Sequence, residues 1–346
     1  MSGEANPILE QDRPTDFKLI KQGLKQFRTI DDRRAGMWVA LDVSGLIASF
    51  VLASGAGFGF VGTVASAVCG LFVLRLFVLG HDAGHGALFS SPRANAVVGR
   101  ILMLPSLVSY SLWRAGHNLG HHGFTSLATG KGDRIWRPMS RDAYSAAPGR
   151  VRCWERCKRH VLGIGWCYCF EVWARDLVVP RGKARPSTVA DMVLVVGFAV
   201  VWPIASVALA DAGGATGIEG FVLGVAMPFA IWLNAMSWII YLHHTHPKTP
   251  WFDDFGEWKH STGARGAWVL TTVTGKLDAL FHNILLHPAH HIDSRIPFYN
   301  LPAANAYLVA HGCSFVRQAL TPRLAWQIAA SCKLYDFGRH TWMTFR

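Results

Sequence analysis

Long stretches of this chain carry almost no charge, over lengths that match the thickness of a lipid bilayer. A helix needs about 20 predominantly apolar residues to cross the hydrocarbon core. From Met37 to Gly80, 44 residues hold only two charges, Asp42 and Arg75. The middle of this stretch, Gly55 to Gly62, is rich enough in glycine to turn. It reads as two spans, about 37–57 and 60–80, joined as a tight hairpin. Met192 to Ala210 makes a third span bounded by Asp191 and Asp211, and Phe221 to Leu242 a fourth, 22 residues with no charge. Pro203 and Pro228 lie inside these spans, where neighbouring helices satisfy the freed carbonyls. Four buried helices of a large soluble protein are the alternative, but charge-free runs of this length are rare in soluble cores. The expected fold is an all-α integral membrane protein with four transmembrane helices.

The loops orient it. The turn near 55–62 has no charge, and the turn near 211–220 has Asp211 and Glu219 but no Lys or Arg. The segment His81 to Thr188 carries 16 Lys/Arg against 6 Asp/Glu. The positive-inside rule puts that segment and both termini in the cytoplasm. The first 36 residues are polar, so the first span is expected to be an anchor rather than a cleaved signal. The expected organisation is a cytoplasmic segment 1–36, a membrane domain 37–305 and a cytoplasmic segment 306–346. The apolar run 94–112 holds Arg100 and Pro105 and reads as re-entrant or interfacial; 150–185 mixes arginines with Trp154, Trp166 and Trp173, as suits a helix at lipid headgroups. With 51% apolar and 16% charged residues, a disordered chain is excluded. The net charge of +12 is not gathered on a soluble domain, so nucleic-acid binding is not expected. Seven cysteines form no disulfide framework. Arg outnumbers Lys 24 to 10, and Ala and Gly are abundant, which points to a GC-rich bacterium and its inner membrane.

The 16 histidines are grouped. His81 and His85 stand four apart at the cytoplasmic end of the second span, where a helix puts both on one face. His117, His121 and His122 form a second group, His243, His244 and His246 follow the fourth span, and His287, His290 and His291 form the last. All four groups fall on one side of the membrane in a topology derived without them. Neutral imidazole is a good ligand for iron, zinc and copper. Eight or nine imidazoles from four helix ends could hold two metal ions. Structural zinc prefers four ligands, often cysteine, so a pair of irons, suited to oxygen activation, is the expected occupant. A metal transporter would place His near mid-bilayer and a haem cytochrome inside the spans; neither fits. His160, His260, His311 and His340 read as surface or interfacial, and His282 as a partner that orients a ligand. The pairs Cys153/Cys157 and Cys167/Cys169 read as packing thiols.

Three motifs carry a resemblance: His-Asp-Ala-Gly-His (81–85), His-Asn-Leu-Gly-His-His (117–122) and His-Pro-Ala-His-His (287–291). They resemble the histidine boxes of membrane fatty acid desaturases. Tyr-Leu-His-His-Thr-His-Pro (241–247) is similar to a segment of the acyl-lipid Δ12, or oleate, type. The likeness runs from about residue 36 to 305. It implies a non-haem di-iron site carried on a cytoplasmic helical cap above the four spans. Its implied ligands are His81, His85, His117, His121, His122, His287, His290 and His291, with one more histidine after the fourth span. That one is taken as His244, with His246 as the runner-up.

The second box has three residues between His117 and His121, where oleate desaturases usually have two; the longer spacing occurs in alkane ω-hydroxylases. His243 replaces a family glutamine. The expected reaction is O2-dependent insertion of a double bond into an acyl chain, with hydroxylation of acyl chains, alkanes or carotenoids as the alternative. No fused electron carrier is visible, so a ferredoxin or b-type cytochrome with its reductase is the implied donor. Asp82, Asp254 and Glu257 could orient ligands or simply be solvated or capping charges. Trp113 and Arg114 could line the approach to the site or meet headgroups.

Overall fold

A computed structural model describes residues 17–130, 132–178, 185–261, 271–272, 274–313 and 315–345. The first part of the N-terminal segment and residues 179–184 of the basic stretch lie outside the described residues. The chain is mostly helical. Four helices, Asp32–Gly55, Phe60–His85, Pro186–Ala212 and Gly217–His244, are long and apolar enough to cross a membrane. Each expected span is present; the third and fourth helices run beyond both expected ends and the first two beyond one, for reasons of capping. The Asp31 side chain accepts the backbone N–H groups of Arg33 and Arg34, so the first helix starts before its apolar run. It stops slightly short of its expected end, at Gly55. Gly86, at φ 71°, ends the second after His85 rather than at Gly80. Pro186 opens the third. A Thr216–Glu219 capping box opens the fourth.

The chain divides into two compact units. One comprises Ile30–Arg114 and Cys169–Met236 and holds most of the span helices. The two charges of the first apolar stretch meet here: Arg75 donates to Asp42 Oδ1 from Nε at 2.9 Å and from a terminal nitrogen at 2.7 Å. Both are buried, as intramembrane charges must be paired to be tolerated. The first, third and fourth span helices meet through small residues. Ser54 and Ser206 share a hydrogen bond of 2.9 Å, Ser206 also donates to Gly220 O, and a side chain at Gly224 would strike both hydroxyls. Trp202 Nε1 donates to Gly224 O at 2.9 Å. The apolar run 94–112 is not a straight span. Its helix Pro92–Met103 ends near Leu107, at φ 52°, and the chain turns through 106° into the next helix, which agrees with a re-entrant or broken segment.

The other unit comprises the described residues up to Thr29, Ala115–Tyr168 and those from Ser237 onward. Its core packs Ile20 and Leu24 of the helix Phe17–Leu24 against Ala289 and Ile292 of the helix His287–Ile292, and against Leu301, Ala304 and Leu308. Arg28 reaches Asp293 at 2.6 Å and Asn300 donates to Phe27 O, so the helix carrying the third histidine box is pinned at its end. A backbone bridge joins the loop after the second box to the loop after the fourth span helix, with Ala128 N–H on Phe252 O at 2.7 Å and Phe252 N–H on Ser126 O at 3.0 Å. Arg159, wholly buried, holds Glu155, Trp136 O and Arg137 O.

The helical architecture agrees with the all-α expectation. Among the described residues it carries two short β ladders: Thr271–Thr272 pairs in parallel with Arg317–Gln318, and Leu334–Asp336 pairs antiparallel with Thr341–Met343. The second ladder buries Leu334 and Tyr335.

Candidate metal centre

Four imidazoles from three separate parts of the second unit converge. His121 ends a π-helical turn, Gly116–His121, His244 is the last residue of the fourth span helix, and His287 and His291 lie one turn apart on the helix His287–Ile292. One ring nitrogen from each lies within 4.8 Å of all the others. His121, His244 and His287 are buried and His291 is nearly so. His244 Nε2 and His287 Nε2 are 2.9 Å apart. Neither the Nδ1 of His244, the Nδ1 of His287 nor the Nε2 of His291 has a hydrogen-bond partner among the described residues. Lone pairs aimed at one buried point repel unless a proton or a cation lies among them, and one proton serves only one pair. The donors are all imidazole nitrogens, which suits iron, zinc or copper and not the oxygen-seeking calcium or magnesium. The arrangement thus fits a transition-metal ion.

A second convergence lies beside it in the same unit. His122 Nε2 is 3.0 Å from His117 Nε2 and 3.1 Å from His290 Nε2, and the ring nitrogens of this trio also fall within 4.8 Å. His81 and His85 belong to the other unit. Their rings stand 4.7 Å apart at the end of the second span helix. Trp113 packs on both, at 5.2 and 5.7 Å, against the bare backbone of Gly84. Trp113 is therefore a buried wall beside these histidines, while Arg114 is exposed. Asp82 Oδ1 faces His81 Nδ1 at 3.2 Å, in the place of an orienting carboxylate.

The histidines after the fourth span are placed differently. His244 joins the cluster; His246 lies outside it, with its Nδ1 accepting the Lys248 N–H at 3.1 Å. His243 stacks on His287 with ring centroids 3.9 Å apart. His282 packs on Phe298. Asp254 caps the helix Phe255–His260. Glu257 is exposed to solvent, accepts from His340 Nε2 at 2.7 Å and lies outside the four-imidazole cluster. His340 itself is a correction: it is buried, with Nδ1 also on Trp251 O, because the C-terminal ladder folds back over that loop. His160, His260 and His311 are exposed, as expected. Cys157 and Cys167 are in no disulfide, and their sulfurs lie 3.9 Å apart.

Burial holds His287 and His291 well below the ordinary histidine range, and the neighbouring imidazoles add to this. Burial, then Lys248, brings His246 down to about 4. A folded-state pKa below the unfolded one means the unfolded chain takes up protons first as pH falls. These groups therefore leave stability intact above about pH 6.5, the unfolded histidine value. They withdraw it as pH drops toward the depressed folded values. The metal-free protein is expected to melt at a clearly lower temperature at pH 5 than at pH 8. Equal melting temperatures would contradict this.

Two residues not singled out in the sequence touch the cluster. Asp133 Oδ2 faces His121 Nδ1 at 2.9 Å, and Thr125 Oγ1 lies 3.3 Å from His291 Nδ1.

Residues 57–321 match the fatty acid desaturase family. The chain is 27% identical to an omega-6 fatty acid desaturase, chloroplastic, of Glycine max, over 90% of its own length and 71% of that protein. It is 29% identical to an sn-1 oleoyl-lipid 12-desaturase of Synechocystis sp., over 78% and 74% respectively. It is also 29% identical to an sn-2 acyl-lipid omega-3 desaturase (ferredoxin), chloroplastic, of Arabidopsis thaliana, over 68% of this chain and about half, 52%, of that protein. The chain belongs to the fatty acid desaturase family. It is an oxidoreductase of lipid metabolism, a multi-pass membrane protein with histidine groups able to hold metal.

Proposed function

We propose that this protein is an O2-dependent, di-iron acyl-lipid desaturase that inserts a double bond into a fatty acyl chain. The observation that carries this reading is the buried convergence of His121, His244, His287 and His291 in a chain of this family. One iron is assigned to those four imidazoles. The second is assigned to His117, His122 and His290, with His81 and His85 completing the nine-histidine set on the strength of their box motif. Bound iron supplies the activation of O2 that breaking an unactivated C–H bond requires.

The protein residues do the rest. The overall change is –CH2–CH2– + O2 + 2 e⁻ + 2 H⁺ → –CH=CH– + 2 H2O, so two electrons must come from outside the chain. The exposed Arg150 and Arg152 suit an acidic donor, which a ferredoxin would be, with a b-type cytochrome as the alternative. Buried imidazoles keep bulk water from the metals, and the apolar span helices offer the acyl chain a dry path. The active site and both termini are assigned to the cytoplasmic face, in a bacterial inner membrane. A second reading, hydroxylation, in which one hydroxyl enters the chain instead, draws on the same histidine set.

Expression in a host that makes only saturated and monounsaturated chains tests both. Gas chromatography–mass spectrometry of fatty acid methyl esters is expected to reveal a new diene, absent with His290→Ala. A hydroxylated chain would replace the desaturase reading with the second one. An unchanged profile in a host supplied with a ferredoxin and its reductase would reject the acyl substrate.

A further inference from the structure

We propose that Asp133 and Thr125 set the tautomers of His121 and His291, so that both rings turn a bare Nε2 lone pair toward one metal ion. The inference rests on the metal-centre reading above and extends it to two side chains that bind no metal themselves. Asp133 is buried, and both its oxygens are engaged: Oδ2 faces His121 Nδ1 at 2.9 Å, and Oδ1 accepts the Ile135 N–H at 2.9 Å. The Arg137 guanidinium donates to the main-chain carbonyls of Asp133 and Gly132, placing a cation beside the carboxylate. An ionised carboxylate only accepts, so His121 Nδ1 must carry the ring proton and Nε2 must be bare.

Thr125 reaches the same result by a different route. Its hydroxyl has one proton, and that proton goes to His121 O at 2.7 Å. Toward His291 Nδ1, at 3.3 Å, the oxygen can therefore only accept. His291 then holds its proton on Nδ1, and its Nε2, which has no partner among the described residues, is left as a lone pair. Trp258 Nε1 donates to Thr125 O at 2.9 Å and holds the residue in place. His244 and His287 have no such partner on Nδ1 among the described residues, so tautomer selection in the cluster falls to these two positioning residues.

Asp133→Asn makes the sharp variant. Its single oxygen stays on the Ile135 N–H, and its amide N–H2 then faces His121 Nδ1. That nitrogen must accept, and the proton is forced onto Nε2, where it blocks a ligand. Thr125→Val removes the acceptor at similar volume, and Thr125→Ser restores it.

The test uses the purified full chain in detergent, stripped of metal and titrated with Co(II) alone. Ligand-field absorption and chelator competition are the readouts. The wild type is expected to bind two equivalents; failure to bind any would reject the metal centre itself, before the variants are considered. Asp133→Asn is expected to lose about 10- to 100-fold in affinity at one of the two ions, with the absorption of that ion diminished. Thr125→Val is expected to lose less, and Thr125→Ser to regain wild-type affinity. Wild-type affinity for both equivalents in Asp133→Asn would overturn the proposal. If that variant does not fold, wild-type affinity in Thr125→Val, or failure of Thr125→Ser to regain it, would do so.

Discussion

A protein with His121 replaced by alanine is expected to hold one equivalent of iron instead of two and to form no new double bond. Three features make His121 the most consequential of the nine. It is buried, its ring contacts those of His244 and His291 at centroid distances of 4.5 and 4.9 Å, and its Nδ1 is anchored on a buried carboxylate. Removing it deletes one of four ligands and leaves Asp133 as a buried carboxylate without its imidazole. The lost interaction is one made at the reacting centre, so turnover should vanish rather than weaken. His246→Ala provides the contrast, because that ring stands outside both convergences and should leave iron content near two. Elemental analysis with lipid profiling decides. Undiminished iron and diene in His121→Ala would sink the ligand assignment, and loss of one iron in His246→Ala would move it to the wrong histidine.

Asp42→Asn is expected to destabilise the fold by about 3 kcal/mol, the typical loss when one member of a buried ion pair is removed. Arg75 lies on the second span helix with both of its bonds to Asp42 below 3 Å, and its guanidinium also sits over Trp38 at 5.6 Å. Replacing the carboxylate by an amide leaves a full positive charge among apolar helices without the charge that faced it. Well-packed apolar residues can replace such a pair with little loss. The double variant Asp42→Leu/Arg75→Leu should therefore regain most of the stability that the single change removes. Denaturation in mixed micelles measures both. A single variant as stable as wild type would show that the pair contributes nothing, and a double variant no better than the single would show that the helices need the charges themselves.

The span helices were legible because charge-free length is a coarse property that survives any detail of packing. Their ends were less so, although the cues were present: Asp31, Gly86, Pro186 and the Thr216–Glu219 pair are all cap residues in ordinary cap positions. A hydrophobic run marks a span's length and is blind to these single residues beyond its ends. The histidine groups were legible as motifs, and His244 over His246 followed from the resemblance alone. Asp133 was not, since it lies 12 residues from the ring it meets and shares no period with it. His340 was missed for the same reason: its partner Trp251 is 89 residues away. A two- or three-residue β ladder leaves no alternation long enough to detect.

The π-helical turn through the second histidine group bears on how length differences in this box should be understood. The His122 N–H bonds to His117 O, five residues back, rather than to the residue four back as in an α-helix. In such a turn, residue i+5 stands where i+4 would stand in an α-helix, and i+4 stands where i+3 would. His117, His121 and His122 thus project in the directions that a box one residue shorter would give from an ordinary α turn. The additional residue is taken up in the winding of the backbone, around exposed Leu119. Boxes of unequal length can therefore deliver the same set of imidazoles to the same place. An insertion here is a change of pitch, and by itself it says little about which product leaves the enzyme.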